Sequence, residues 1–159
     1  MASLLKEYGA LFDRVAAAYE ANFAIRQELT QEIVFHVWQS LKHFRGDSQL
    51  KTYVLKIAHN RGVQHVSKEV KRIQPELITE DSATVSGADY EAEQAQQLNI
   101  LMKTIRELPL SQRQVATLYL EGLSYQEIAE VSGNTQSNVG VMINRIKTKL
   151  QEALNHANT

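Results

Sequence analysis

Residues 122–150, GLSYQEIAEVSGNTQSNVGVMINRIKTKL, limit the fold more than any other stretch of this chain. Ser124 and Glu127 have the S-x-x-E spacing of a capping box, in which each side chain bonds the other residue's backbone at a helix N-terminus. Gly133 stands where that helix must end and the chain must turn. The helix that follows has apolar residues at helical spacing: Val139, Ile143, Ile146 and Leu150. The stretch predicts a helix-turn-helix, a common reader of the DNA major groove, although a plain helical hairpin would show the same pattern.

The composition indicates a mostly helical globular protein. Of the 159 residues, 43% are hydrophobic and 22% are charged, which is ordinary for a soluble domain. The chain has two prolines and no cysteine, so disulfides and thiolate metal sites are excluded. Charged residues interrupt positions 1–15, where a signal peptide would need an apolar core, and no run has the length of a membrane span. We therefore expect a cytoplasmic protein without a membrane partner.

Charge is distributed unevenly along the chain, although the net charge is only −1. Residues 42–72 carry eight Lys or Arg and two acidic residues, whereas residues 73–97 carry six acidic residues and no Lys or Arg. Salt confines the effect of each charge to about 8–10 Å. A local basic face in the first half of the chain can therefore bind phosphates whatever the net charge is.

Periodic apolar residues predict an all-α protein with two small helical domains. The first domain covers residues 1–74. Its three amphipathic helices are predicted near 3–22, 28–44 and 50–72.

Residues 75–94 are acidic and weakly periodic, which is typical of a flexible linker. The second domain covers residues 95–159 and begins with a helix that ends before Pro109. Ser111 and Gln114 predict a second capping box, which would open the helix before the helix-turn-helix.

Two runs of the sequence resemble one family of bacterial proteins. ELTQEIVFHVWQSLKHFRGDSQLKTYVLKIAHN, residues 28–60, resembles the second domain of sigma factors of the extracytoplasmic-function class. LPLSQRQVATLYLEGLSYQEIAEVSGNTQSNVGVMINRIKTKL, residues 108–150, resembles their fourth domain, and the class has no third domain. The resemblance implies a protein that binds core RNA polymerase, recognises promoter DNA through its −35 and −10 elements, and melts the −10 region.

The resemblance also implies polymerase contacts on the second predicted helix. Five residues fall where the family docks on the clamp helices of the largest polymerase subunit: Leu29, Gln31, Glu32, Phe35 and Trp38. Large aromatic residues are usually buried, so we expect Trp38 to belong to the core, and Leu29 and Phe35 are open to the same interpretation. Gln31 and Glu32 are the better candidates for a surface contact.

A second polymerase contact is implied for the fourth domain. There the family holds the flap of the second-largest subunit in an apolar groove. The lining residues by resemblance are Val115, Leu118, Tyr119 and Leu123, each of which is open to an interpretation as ordinary core.

Contacts with the −10 element are implied for the loop and helix after residue 43. The loop from Phe44 to Gln49 matches the one that receives a base flipped out of the non-template strand. Lys56 and His59 are predicted to share the outward face of the following helix, and a basic stripe continues to its end. The residues implied in −10 binding are Phe44, Arg45, Lys51, Thr52, Lys56, His59, Asn60, Arg61, Lys68, Lys71 and Arg72. A solvated charged helix would show a similar stripe.

The second helix of the helix-turn-helix departs from the family pattern. With Val139 turned inward, the outward face has no cation, and Gly140 and Met142 stand where the family commonly has Lys or Arg. Arginine–guanine and phosphate contacts supply most specific and non-specific affinity, so recognition of the −35 element should be weak. The residues implied in −35 binding are Gln136, Ser137, Asn138, Gly140, Val141, Asn144, Arg145 and Lys147. We hypothesise that a separate DNA-targeting partner helps to place the polymerase.

Other functions are compatible with parts of the sequence. A stand-alone helix-turn-helix regulator would need only the second domain and a dimer contact, and an adaptor could bind polymerase without recognising promoters. An anti-sigma factor is a further partner that many members of the family have.

The spacing of the histidines at 36, 43, 59 and 65 does not place two metal ligands one helical turn apart. No enzyme motif occurs, so we expect no metal, cofactor or catalytic residue.

Overall fold

The computed structural model describes residues 2–71 and 89–157, and every regular element in these stretches is a helix. The first three are α1 (Ala2–Tyr19), α2 (Phe23–Ser40) and α3 (Leu50–Lys71), with a 3₁₀ turn at Leu41–His43. The last four are α4 (Asp89–Glu107), α5 (Leu110–Leu120), α6 (Tyr125–Ser132) and α7 (Gln136–Ala157). The all-α prediction is confirmed. Residues 75–88 of the predicted linker lie outside the described residues, and its last residues already belong to α4.

Helices α1 to α3 form the first helical unit, in which each helix packs against the other two. Phe12 and Ile33 are completely buried between them. Helix α2 begins at Phe23, five residues before the predicted start, because the side chain of Asn22 accepts a hydrogen bond from the Ile25 backbone N–H. None of the described helices is both long enough and apolar enough to cross a membrane.

Helices α4 to α7 form the second helical unit. The capping box of Ser124 and Glu127 is present in both directions, and Gly133 ends α6 with a φ of 77°. These two predictions are confirmed. The predicted box at Ser111 is wrong, because α5 begins at Leu110 with Pro109 as its N-cap, which leaves Ser111 inside the first turn.

The two helical units are packed against each other. Helix α1 contacts α4 and α5, and α3 contacts α5 and α6. At the C-terminal end of α1, Arg106 donates a hydrogen bond to the Ala17 carbonyl at 2.8 Å. The Arg113 guanidinium lies 5.8 Å from the ring centroid of Tyr19. Both cations stand where the negative end of the α1 dipole favours them.

Candidate nucleic-acid and polymerase interfaces

An aromatic patch lies exposed on α2. Phe35 is 47% exposed and Trp38 is 39% exposed, with Gln31 and Glu32 exposed beside them. The expectation that Trp38 belongs to the core is therefore wrong, whereas Leu29, at 2% exposure, is a core residue and cannot contact a partner directly. Exposed aromatic side chains that share one helix face commonly mark a protein interface.

Helix α3 presents a polar stripe to solvent. Lys56, Asn60 and Lys68 are exposed; Lys56 and Asn60 lie one turn apart on the same face, and Lys68 lies about two turns further along the helix. Arg61 lies beside this stripe, partly buried, and donates a hydrogen bond to Gln64. Arg72 and the side chain of Lys71 lie outside the described residues. The stripe offers two exposed cations and one amide to a polyanion.

His59 does not belong to that stripe. Its side chain is completely buried, and Nδ1 lies 2.6 Å from the Tyr19 hydroxyl oxygen in a hydrogen bond. Burial lowers the pKa of His59 to about 3, so the ring is neutral at pH 7. The prediction that His59 faces outward with Lys56 is wrong, because residue 59 lies one turn after the completely buried Leu55, on the core face of α3.

Stability should fall as the pH is lowered from 6.5, the ordinary pKa of histidine, towards about 3. In this range the unfolded chain protonates His59 and the folded chain does not, so the free energy of unfolding falls by up to about 1.4 kcal/mol per pH unit. Urea unfolding at pH 5.0 and 6.0 measures this slope. The variant His59→Gln should show a slope smaller by about that amount, and identical slopes in the two proteins would contradict a buried neutral ring.

The loop before α3 is held in place by aromatic contacts. The ring centroids of Phe44 and Tyr53 lie 4.9 Å apart, and the Tyr53 hydroxyl donates to the Ser40 carbonyl at 2.8 Å. Gly46 has a φ of 82°, which lets the chain reverse there. Arg45 is exposed at this turn. The loop therefore places one aromatic ring and one cation near the start of the α3 stripe.

Two predicted −10 residues are engaged by the second helical unit. Lys51 Nζ donates to the Glu121 carbonyl oxygen at 2.6 Å. Thr52, which is 6% exposed, donates from Oγ1 to Glu127 Oε2 at 2.9 Å. Neither side chain is available to DNA in this arrangement.

The residues implied in −35 binding are mostly exposed on α7, but the face they form is poor in charge. Gln136, Ser137, Asn138, Asn144 and Arg145 are exposed, and Val141 is 48% exposed. Met142 is buried, so in this structure a Lys or Arg at position 142 would not face DNA. Lys147 Nζ lies 5.0 Å from the Tyr119 ring centroid and therefore leans towards α5.

Tyr125, which the sequence interpretation missed, lies beside the predicted −35 residue Gly140. A Cβ built on Gly140 would lie 3.6 Å from Tyr125 Cε2, so the tyrosine ring packs beside α7. Tyr125 is 40% exposed. The sequence signal available for it was its position as the first residue of α6, directly after the N-cap Ser124 and close to the turn of the helix-turn-helix.

The predicted flap groove is not lined as expected. Val115, Leu118 and Leu123 are buried in the second helical unit, so they pack its core. Leu120, which was not predicted, is 51% exposed at the end of α5. The nearby Tyr119 is only partly buried.

Metal binding has no candidate here. Within residues 2–71 and 89–157, no three His, Asp or Glu side chains are grouped closely enough to hold a metal ion.

Comparisons with known proteins agree with the two-unit arrangement. Residues 4–72 match the family model of Sigma-70 region 2, and residues 98–150 match that of Sigma-70, region 4. The RNA polymerase sigma-H factor of Pseudomonas aeruginosa is 30% identical over 142 residues, which cover 82% of this chain and 72% of that protein. This chain belongs to the extracytoplasmic-function class of RNA polymerase sigma factors. The class resemblance drawn from the sequence is confirmed.

Two further relatives of this sigma factor extend the comparison. The extracytoplasmic-function sigma-E factor of Haemophilus influenzae is 27% identical over 139 residues, 78% of this chain and 74% of that protein. The sigma factor RpoE of Bartonella quintana, solved in complex with the anti-sigma factor NepR, has the same fold, with a TM-score of 0.74 and 21% identity. That likeness covers 96% of this chain and 94% of the Bartonella chain. As a sigma factor, this protein acts with core RNA polymerase and promoter DNA.

Proposed function

We propose that this sigma factor docks on the clamp helices of the largest polymerase subunit through the aromatic patch of Phe35 and Trp38. Both rings are exposed on one face of α2, and Lys42 Nζ stands 5.6 Å from the Trp38 ring centroid. Gln31 and Glu32 provide a polar rim on the same helix. Leu29 contributes by holding α2 in the core.

The second part of the proposal concerns the −10 element. The observation that carries it is the exposed stripe of Lys56, Asn60 and Lys68 beside the loop that holds Phe44 and Arg45. Cations of the stripe bind phosphates, while the loop receives an unstacked base. His59 supports this surface from beneath, since its ring is buried against Tyr19.

Run-off transcription with core polymerase tests the −10 proposal. On a duplex promoter, Lys56→Gln should lower transcription about tenfold, because one charged contact is worth about 1.5 kcal/mol. On a template whose −10 region is already melted, the loss should be smaller. Lys103→Gln, an exposed lysine on α4, is the matched control.

Two outcomes would count against the −10 proposal. Equal transcription by Lys56→Gln and the parent protein on duplex DNA would remove α3 from promoter recognition. Polymerase binding without transcription from either template would instead indicate an adaptor.

We further propose that the second helical unit recognises the −35 element weakly. The α7 face offers Val141, Gly140 and amides where cations would be needed, and Tyr125 adds an aromatic ring to it. A DNA-targeting partner that binds this protein would help to place the polymerase at the promoter. An anti-sigma factor, as NepR is for the Bartonella protein, is a second kind of partner that we propose. Leu120 is the exposed apolar residue available for the flap of the second-largest subunit.

Replacing the −35 element should therefore change transcription by purified holoenzyme less than about threefold, because residues 136–144 of α7 include no arginine for the bidentate guanine contacts worth about 1–3 kcal/mol each, and Arg145 lies at the flank of that face. Abortive initiation on otherwise identical promoters measures the effect. A tenfold or greater loss would remove the need for a partner.

A further inference from the structure

The turn between α5 and α6 binds the first helical unit through polar contacts. Arg14, Lys51 and Thr52 form one side of the contact, and Glu121 and Glu127 form the other. We name these five residues the interdomain latch. They come from α1 and α3 on one side and from residues 121–127 on the other.

Glu121 makes the most extensive contacts of the latch. Arg14 Nε donates to Glu121 Oε1 at 2.6 Å, and Arg14 Nη2 donates to Oε2 at 2.9 Å. This paired geometry is the strongest arrangement of a guanidinium and a carboxylate. The Glu121 side chain is only 7% exposed, whereas that of Arg14 is 51% exposed. The backbone carbonyl of the same glutamate accepts from Lys51.

Glu127 joins the latch to the helix-turn-helix. Its Oε1 accepts from the Ser124 backbone N–H at 3.1 Å, which completes the capping box. Its Oε2 accepts from Thr52. One carboxylate therefore caps α6 and bonds α3 at the same time.

The latch occupies a surface that DNA would need. Lys51 and Thr52 are among the residues that the family resemblance implies in −10 binding, and they stand at the start of the same helix as the proposed −10 stripe, yet their donors are used by Glu121 and Glu127. A cavity of about 320 Å³ lies between α3 and α6, and Glu130 stands in its wall opposite the −10 stripe. Carboxylates at these positions repel phosphates.

We infer that the interdomain latch holds the free protein in a closed state in which −10 DNA and the α5–α6 turn compete for α3. DNA binding to the free protein requires the latch to open, so its apparent affinity is reduced by the fraction of open molecules. This inference rests on the proposed −10 surface of α3. It adds that the second helical unit blocks that surface until the two units separate.

The distance between the units in the free protein tests the latch. Because the chain has no cysteine, dyes can be placed at Lys6→Cys and Gln151→Cys, both at exposed positions. Arg14→Gln and Glu121→Gln should each raise the open fraction about threefold to tenfold, seen as lower energy transfer. The charge exchange of Arg14→Glu with Glu121→Arg should restore the parent value, and Lys103→Gln should not change it.

DNA binding provides the functional readout. A fluorescent single-stranded oligonucleotide with the −10 sequence of a promoter used by the holoenzyme should bind free Arg14→Gln about threefold to tenfold more tightly than the parent. Transcription by the holoenzyme should be equal for the two proteins. Unchanged energy transfer and unchanged oligonucleotide affinity in both single variants would overturn the latch and leave the proposed function intact. A wider distance between the two dyes without tighter DNA binding would overturn the proposed competition of DNA and the α5–α6 turn for α3. Failed transcription by the parent holoenzyme would count against the proposed function instead.

Discussion

Replacing Phe35 and Trp38 together by alanine should weaken binding to core RNA polymerase by about 100-fold or more. Truncating a buried aromatic anchor at an interface costs about 2 kcal/mol or more, and each 1.4 kcal/mol corresponds to a factor of ten. Both rings are substantially exposed in the free protein, at 47% and 39%. Their removal should therefore leave the fold intact.

Fluorescence anisotropy of the labelled protein, titrated with core polymerase, measures this loss. Phe23→Ala is the matched control, since Phe23 is an aromatic residue at the other end of α2 and is 53% exposed. A double variant that binds core polymerase as tightly as the control would contradict the docking proposal. Unchanged thermal unfolding of both variants establishes that only binding was altered.

Gly62→Ala should lower the free energy of unfolding by about 1–3 kcal/mol, because inserting a methyl group into a well-packed core forces its neighbours apart. A Cβ at this position would overlap Cδ2 of the Tyr19 ring and lie 2.6 Å from Cε2. The ring cannot retreat freely, since its hydroxyl is bonded to His59. Urea unfolding at pH 7 measures the change.

Gly9→Ala provides the opposite expectation. Gly9 lies within α1, and a Cβ there would meet no atom within 4 Å. Alanine is favoured over glycine in a helix by about 0.5–1 kcal/mol, so this variant should be more stable than the parent. Equal stability of the two alanine variants would contradict the tight contact of α1 with α3 at Gly62.

Local features of the fold could be predicted because they repeat within a few residues. The capping box of Ser124 and Glu127 and the turn at Gly133 each depend only on neighbours in sequence, and all are present. The error at Ser111 has the same origin, because Pro109 was a stronger start for α5 than the S-x-x-Q spacing. Competing local signals shift a helix start by a residue or two.

Side-chain exposure was harder to predict on the helices that carry the candidate sites. An apolar residue is expected inside and a polar one outside, yet Trp38 is exposed and His59 is buried. The histidine is tolerated in the core because Tyr19 bonds it and because it is neutral. Trp38 instead stays 39% exposed with Lys42 near its ring, and the proposed polymerase contact would bury it.

Contacts between the two units could not be predicted from the sequence pattern. Arg14 and Glu121 are 107 residues apart, and nothing in their surroundings distinguishes them from other charged residues on solvated helix faces. Only the three-dimensional arrangement of α1, α3 and the α5–α6 turn brings them together.

The two oxygens of the Glu127 carboxylate have separate partners, one within α6 and one on α3. Losing Thr52 therefore frees a single lone-pair site and leaves the N-terminus of α6 fully ordered. The hydrogen bonds that cap α6 therefore do not depend on contact with α3, and they persist whether the two helical units are together or apart.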